Sequence, residues 1–113
     1  MGLDQMAFAE KDGKKVEITY WRKHNRLQGF MEAIWRSKGG QGEFNVIELE
    51  LTEAEIDLLE FAVINRELPK THGFFFGADS YQPYQHEAND LTFIKKAKAC
   101  LADGYKIIYY ADY

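Results

Sequence analysis

Hydrophobic and polar residues change their period several times along this 113-residue chain, and each change marks an element. Met6 to Glu10 predicts a short strand, and Lys11-Asp12-Gly13-Lys14 predicts a hairpin turn, since glycine accepts the positive φ such a turn needs. Val16, Ile18 and Tyr20 alternate with Lys15, Glu17 and Thr19, the period of a half-buried strand. From Arg22 to about Lys38 the period becomes helical. Leu27, Phe30, Met31, Ile34 and Trp35 fall on one side, and Arg22, Arg26 and Arg36 share the other with Gly29 and Ala33. Gly39-Gly40-Gln41-Gly42 ends that helix.

Phe44 to Leu51 predicts a further strand with Ile47, Leu49 and Leu51 facing one way and Glu48 and Glu50 the other. Thr52-Glu53-Ala54-Glu55 is a capping box, in which the threonine hydroxyl meets the amide three residues on and Glu55 reaches back. The helix it opens runs to about Glu67, with Ile56, Leu58, Leu59, Ala62 and Val63 as its core face and Leu68-Pro69 as its stop. Gly73-Phe74-Phe75-Phe76-Gly77 suggests a short apolar strand or tight segment, and Ala78 to Ala88 a surface loop. Asn89 or Asp90 then caps a third helix, with Leu91, Phe93, Ile94, Ala97, Cys100 and Leu101 on its buried side and Asp103-Gly104 as its stop. Tyr105 to Tyr110 is a last strand. The order implies one α+β domain over residues 1–113: a two-layer sandwich in which a mostly antiparallel sheet of four to five strands carries about three helices on one face.

Composition narrows the function classes. Apolar residues make up 46% of the chain and aromatics 15%, so a packed core is expected and disorder is not. A net charge of −4 opposes wholesale nucleic-acid binding. One cysteine, Cys100, leaves no disulfide framework and implies a reducing, cytoplasmic setting; the buried helical face it occupies should keep it inert. No apolar run reaches membrane-spanning length and no secretory signal opens the chain, so a soluble protein without a membrane partner is expected.

Candidate chemistry concentrates where the strand pattern gives way to the first helix. Tyr20, Trp21, Arg22, Lys23 and Asn25 could form a binding surface, because aromatic and arginine side chains dominate contact hot spots. The plain alternative is that Tyr20 is core, Trp21 pins the helix to the sheet and the cations are solvated. His24 projects to the Leu27–Met31 side and reads as a packed, hydrogen-bonded histidine. Arg22, Lys23, Arg26 and His72 could instead hold the phosphates of a nucleotide or other small ligand, with Gly29 and Ala33 leaving backbone accessible between the arginines.

Other clusters are weaker. Glu53, Asp57, Glu60 and Glu67 on the second helix, with Glu48 and Glu50, could make an acidic surface for a basic partner or mimic a nucleic-acid backbone, although a solvated helix face explains them as well. His72, Asp79, His86, Glu87 and Asp90 match no tetrahedral metal spacing. No cofactor motif can be read, and no nucleophile lies beside a base. The tyrosines at 105, 109, 110 and 113, with Tyr81 and Tyr84 in the loop, suggest an exposed terminal strand and a route to a homodimer by sheet extension.

Tyr20-Trp21-Arg22-Lys23-His24-Asn25, Leu68-Pro69, Gly73-Phe74-Phe75-Phe76-Gly77 and Asp103-Gly104-Tyr105 together resemble a group of small tailed-bacteriophage proteins. These carry a Tyr-Trp-Arg-Lys-x-Asn block, a Leu-Pro-x-x-x-Gly-Phe-Phe-Phe-Gly segment and a helix ending in Asp-Gly-Tyr. The resemblance spans about residues 16 to 109. It departs at Leu27-Gln28-Gly29-Phe30, where that group reads Ile-His-x-Trp, so any activity resting on that histidine is in doubt here. The resemblance implies a phage or prophage origin and a host-cytoplasm setting rather than a reaction. The expected function is a non-enzymatic protein that binds a host or phage protein through the junction and the adjacent loops, with Arg26, His72, Tyr81 and Tyr84 among the binding residues. The alternatives are small-ligand or nucleotide binding with hydrolysis, and acidic mimicry of nucleic acid.

Overall fold

A computed structural model describes residues 2–72, 77, 79 and 81–113, with the backbone alone at Tyr84. Strand β1 (Asp4–Lys11) turns back at Asp12 and Gly13, both at positive φ, into β2 (Lys14–Arg22). Helix α1 (Asn25–Ser37) follows, then the short strand β3 (Leu49–Leu51), α2 (Glu53–Ile64), α3 (Pro83–Ala102) and β4 (Lys106–Asp112). The four strands form one antiparallel sheet in the order β2-β1-β4-β3. This is the α+β architecture expected from the sequence.

Register decides which side of the sheet is covered. Gln5 pairs with Ala111, Ala7 with Tyr109 and Ala9 with Ile107, while Leu49 and Leu51 pair with Tyr109 and Ile107. Paired residues share a face, and all of these are buried. They join one core with Leu27, Met31 and Ile34 of α1, Ile56, Leu59, Ala62 and Val63 of α2, and Phe93, Ile94 and Ala97 of α3. The helices therefore cover that face, and Met6, Phe8 and Tyr110 stand half-buried on the other.

Several expectations are corrected. In β2 the inward residues nearest α1 are Thr19 and Trp21, whereas Val16 and Tyr20 are exposed. The register of β1 against β2 shifts between Ala7 and Phe8, leaving Ile18 as the extra residue of a bulge, so the parity that alternation suggested holds on only one side of it. Arg22 ends β2 and does not share a face of α1 with Arg26. Gly29 is not an open stretch of backbone: a Cβ there would lie 2.0 Å from the Thr71 hydroxyl, which packs directly on it. The predicted strand over 44–51 shrinks to three residues, because Val46 takes a positive φ that no strand accommodates. β4 is central, between β1 and β3, so it offers no edge for sheet extension. Leu58 is exposed rather than core. The Gly73-Phe74-Phe75-Phe76 segment lies outside the described residues.

The third helix begins at Pro83, inside the stretch expected to be a loop. Residues 82–89 lack an apolar period, but proline fits the first helical position, where its missing N–H costs nothing. Asp90 is consequently a mid-helix residue, not a cap.

The capping box is formed as expected. Thr52 Oγ1 accepts from the Glu55 amide at 3.2 Å, and the Thr52 amide donates to Glu55 Oε1 at 2.9 Å. Thr52→Ala should lower stability by about 1 kcal/mol, seen as a lower denaturation midpoint at an unchanged denaturant slope.

Candidate functional site

The strand-to-helix corner is built by fixing its backbone from below. Lys23 reverses the chain in the left-handed region, at φ 57, and its amide donates to the Leu3 carbonyl at 2.8 Å. His24 precedes α1 without a side-chain cap of its own. Gln5 of β1 clamps it instead: its side-chain oxygen accepts from the His24 amide and its Nε2 donates to the His24 carbonyl, both at 2.9 Å. The same Nε2 donates to the Tyr109 hydroxyl, which donates to Gln28 Oε1 at 2.6 Å, and Gln28 Nε2 donates to the Phe44 carbonyl. Burial pushes the Tyr109 phenol well above its ordinary range, which keeps it a neutral donor in this chain. Gln28 is thus a buried link in this chain of hydrogen bonds.

Asp90 anchors the corner from α3. Its carboxyl is fully buried and takes the Trp21 indole N–H at 3.0 Å on one oxygen and the His24 Nε2 at 2.8 Å on the other. Trp21, 2% exposed, also stands edge-on to Phe93, with ring centroids 5.0 Å apart. The reading of Trp21 as a contact ring is overturned, because the alternation of β2 turns it inward. Asn25 is likewise sealed. Its amide donates to the carbonyls of Thr71 and Gly77, fastening those two residues to α1.

Outward from Asp90 the rings stack. His24 and His86 lie 4.3 Å apart and nearly parallel, and Tyr81 stacks on His24 at 6.0 Å. Arg26 sits over the Tyr81 ring at 4.3 Å and bonds Asp79 at 2.9 Å. Burial pushes the Asp79 carboxyl up, but the Arg26 guanidinium and the Tyr81 and Thr71 backbones outweigh it and hold it below its ordinary value. Burial lowers the His86 imidazole, with His24 acting in the same sense. His86 Nδ1 accepts from the Gln82 amide at 3.0 Å, which places the proton of the neutral ring on Nε2.

Two depressions flank this stack. A groove of about 570 Å³ runs between the end of β2 and α3, lined by Tyr20, Trp21, Arg22, Gln85, His86 and Asn89 among others. A second, of about 390 Å³, is lined by Arg26, Lys70, His72, Asp79, Tyr81 and Gln82. The structure therefore brings Arg26, His72 and Tyr81 together but gives Arg22 to the other depression, and Lys23 lines neither. The four-cation phosphate cradle is not assembled, and the charge of Arg26 is already met by Asp79. Of His72, Asp79, His86, Glu87 and Asp90, which match no metal spacing in the sequence, Asp90 binds His24, Asp79 binds Arg26 and Glu87 binds Arg66; among the described residues no three such side chains converge. The Tyr84 side chain lies outside the described residues.

Sequence reasoning missed Gln5 and Gln85, gave Gln28 no place in the core, and misassigned both Asn89 and Asp90 as caps of a helix that begins at Pro83. Gln5 alone left a signal: it is the polar residue in the inward set Leu3, Gln5, Ala7, Ala9. No family model, no curated protein and no solved structure matches this chain.

Asp90→Ala should cost about 3 kcal/mol or more, since two buried donors at about 1–3 kcal/mol each lose their acceptor; chemical denaturation measures it. The depressed His86 means that the unfolded chain takes up its proton first as pH falls through the ordinary value of 6.5. Its contribution is complete above that pH and lost below it, so the melting temperature should fall on acidification through this window. His86→Gln should flatten that part of the profile.

Proposed function

We propose that this chain is a non-enzymatic binding protein that engages a protein partner along the groove between the end of β2 and α3. The observation that carries the reading is the outward presentation of Tyr20 and Arg22 on a corner fixed from within. Trp21 is clamped inward by Asp90, and strand alternation then aims its two neighbours away from the core. Tyr20 is 47% exposed and its hydroxyl donates to Asp4, so the ring is held rather than free to swing. A rigid aromatic beside an exposed arginine is the composition of a contact anchor.

The groove is open rather than enclosed, and its lining mixes the rings of Tyr20, Trp21 and His86 with the amides of Gln85 and Asn89 and the Thr92 hydroxyl. That suits a peptide or protein surface better than a small ligand, whose sites are enclosed and mostly apolar. No helix among the described residues is long and apolar enough to cross a membrane. The resemblance to small phage proteins points to a partner from the host cell or the phage.

The test is a pull-down from lysate of the proposed bacterial host, with the wild type against Tyr20→Ala combined with Arg22→Ala. Both residues are exposed, so the melting temperature should be kept. Losing two anchors at about 1 kcal/mol each weakens capture by about 30-fold. If the folded double variant retains every partner at wild-type level, the groove is not the contact surface.

A further inference from the structure

Helix α2 is apolar on nearly every side. Ile56, Leu59, Ala62 and Val63 are buried in the core, yet Leu58, Phe61 and Ile64 are 59%, 60% and 58% exposed. Residues three apart are neighbours on a helix surface. Leu58, Phe61 and Ile64 therefore form one stripe, about 9 Å long at 1.5 Å per residue, centred on Phe61 and facing away from the core. Single exposed apolar residues are ordinary, whereas a contiguous exposed apolar row marks an interaction surface.

Charge selects the molecule. Glu53, Asp57 and Glu60 run along one border of the stripe at spacings of four and three, with Asp57 directly beside Phe61. Lys98 of α3 reaches Glu60 at 2.6 Å and Asp57 at 3.4 Å, so three acids are answered by one lysine and the border stays negative. The other acid near the stripe, Glu55, is occupied by Lys38 and by the cap of the helix. Arg66, just past the helix, is engaged by Glu87. A second copy of this chain would bring two negative borders together, which disfavours self-association through this face.

We infer that α2 is a docking face for a basic amphipathic helix of another protein. The partner's apolar row packs on Leu58, Phe61 and Ile64, and its lysines or arginines lie along Glu53, Asp57 and Glu60. A helix is the fitting shape because the stripe is a convex ridge with i, i+3 spacing, which packs into the groove of a facing helix. The face shares no residue with the groove at Tyr20 and Arg22 and does not depend on it.

Fluorescence anisotropy tests this with two labelled peptides of about 18 residues, sharing one leucine row and carrying either lysine or glutamate on the flanks. The basic peptide should bind the wild type at least about tenfold more tightly than the acidic one, and the preference should shrink as salt rises. Leu58→Ser combined with Phe61→Ser should weaken the basic peptide by about 30-fold or more, since two apolar anchors are removed. Asp57→Lys should reduce the preference for the basic peptide without removing the apolar contact. Tyr20→Ala with Arg22→Ala should leave peptide binding unchanged, which separates this face from the groove. Equal binding of the two peptides, no binding of the basic one, retention by the serine variant, or dimerisation of the wild type that the serine variant abolishes would each overturn the assignment.

Discussion

A buried carboxyl is costly to hold in a protein interior unless donors surround it, and Asp90 shows how this fold meets that cost. It sits within α3, closed to solvent, and receives the indole of Trp21 from the end of β2 and the imidazole of His24 from the entry to α1. Three elements are thereby tied at one point. Gln5 adds the fourth, because it holds both backbone groups of His24 from β1 and passes the network on to Tyr109 of β4. Without this knot the strand-to-helix corner would rest on the left-handed turn at Lys23, its amide bond to Leu3 and the Asn25 side chain.

The outer surface follows from the inner one. Turning Trp21 inward leaves Tyr20 and Arg22 no direction but outward, and β2 is an edge strand with no neighbouring strand on its outer side. The protein answers that edge from α3: Asn89 donates to the Tyr20 carbonyl and Lys96 to that of Ile18. An exposed edge is an invitation to unwanted pairing, and these side chains narrow it to the groove proposed as the contact surface. The polar first turns of α3 supply one wall of that groove and fasten the edge at the same time.

Helix α2 shows the opposite economy. Its start is fixed by a local device, the Thr52–Glu55 box, and its inner face by the core. Its outer face is neither polar nor covered, although the flanking acids keep it solvated. The two surfaces differ in kind: the corner is an aromatic and cationic edge held by buried hydrogen bonds, and α2 is an apolar ridge with an acidic border.

Short-range features were legible in the sequence because their causes are short-range. The Asp12-Gly13 turn, the capping box, the Asp103-Gly104 stop and the helical faces at Leu27, Met31, Phe93 and Ala97 each depend on residues within a few positions of one another. Even the α+β class follows from these periods. What the chain alone could not fix was anything set by a distant partner. Trp21 and Tyr20 are adjacent and both aromatic, so only the pairing with Gln5 and Met6 and the bulge at Ile18 decide which one is buried. Asp90 looks like a helix cap until the preceding polar turns are seen to be helical and its oxygens to be spent on residues 66 and 69 positions away. The central place of β4 and the separation of Arg22 from Arg26 likewise arise from strand order, which no local pattern encodes because it is settled by how whole elements bury one another.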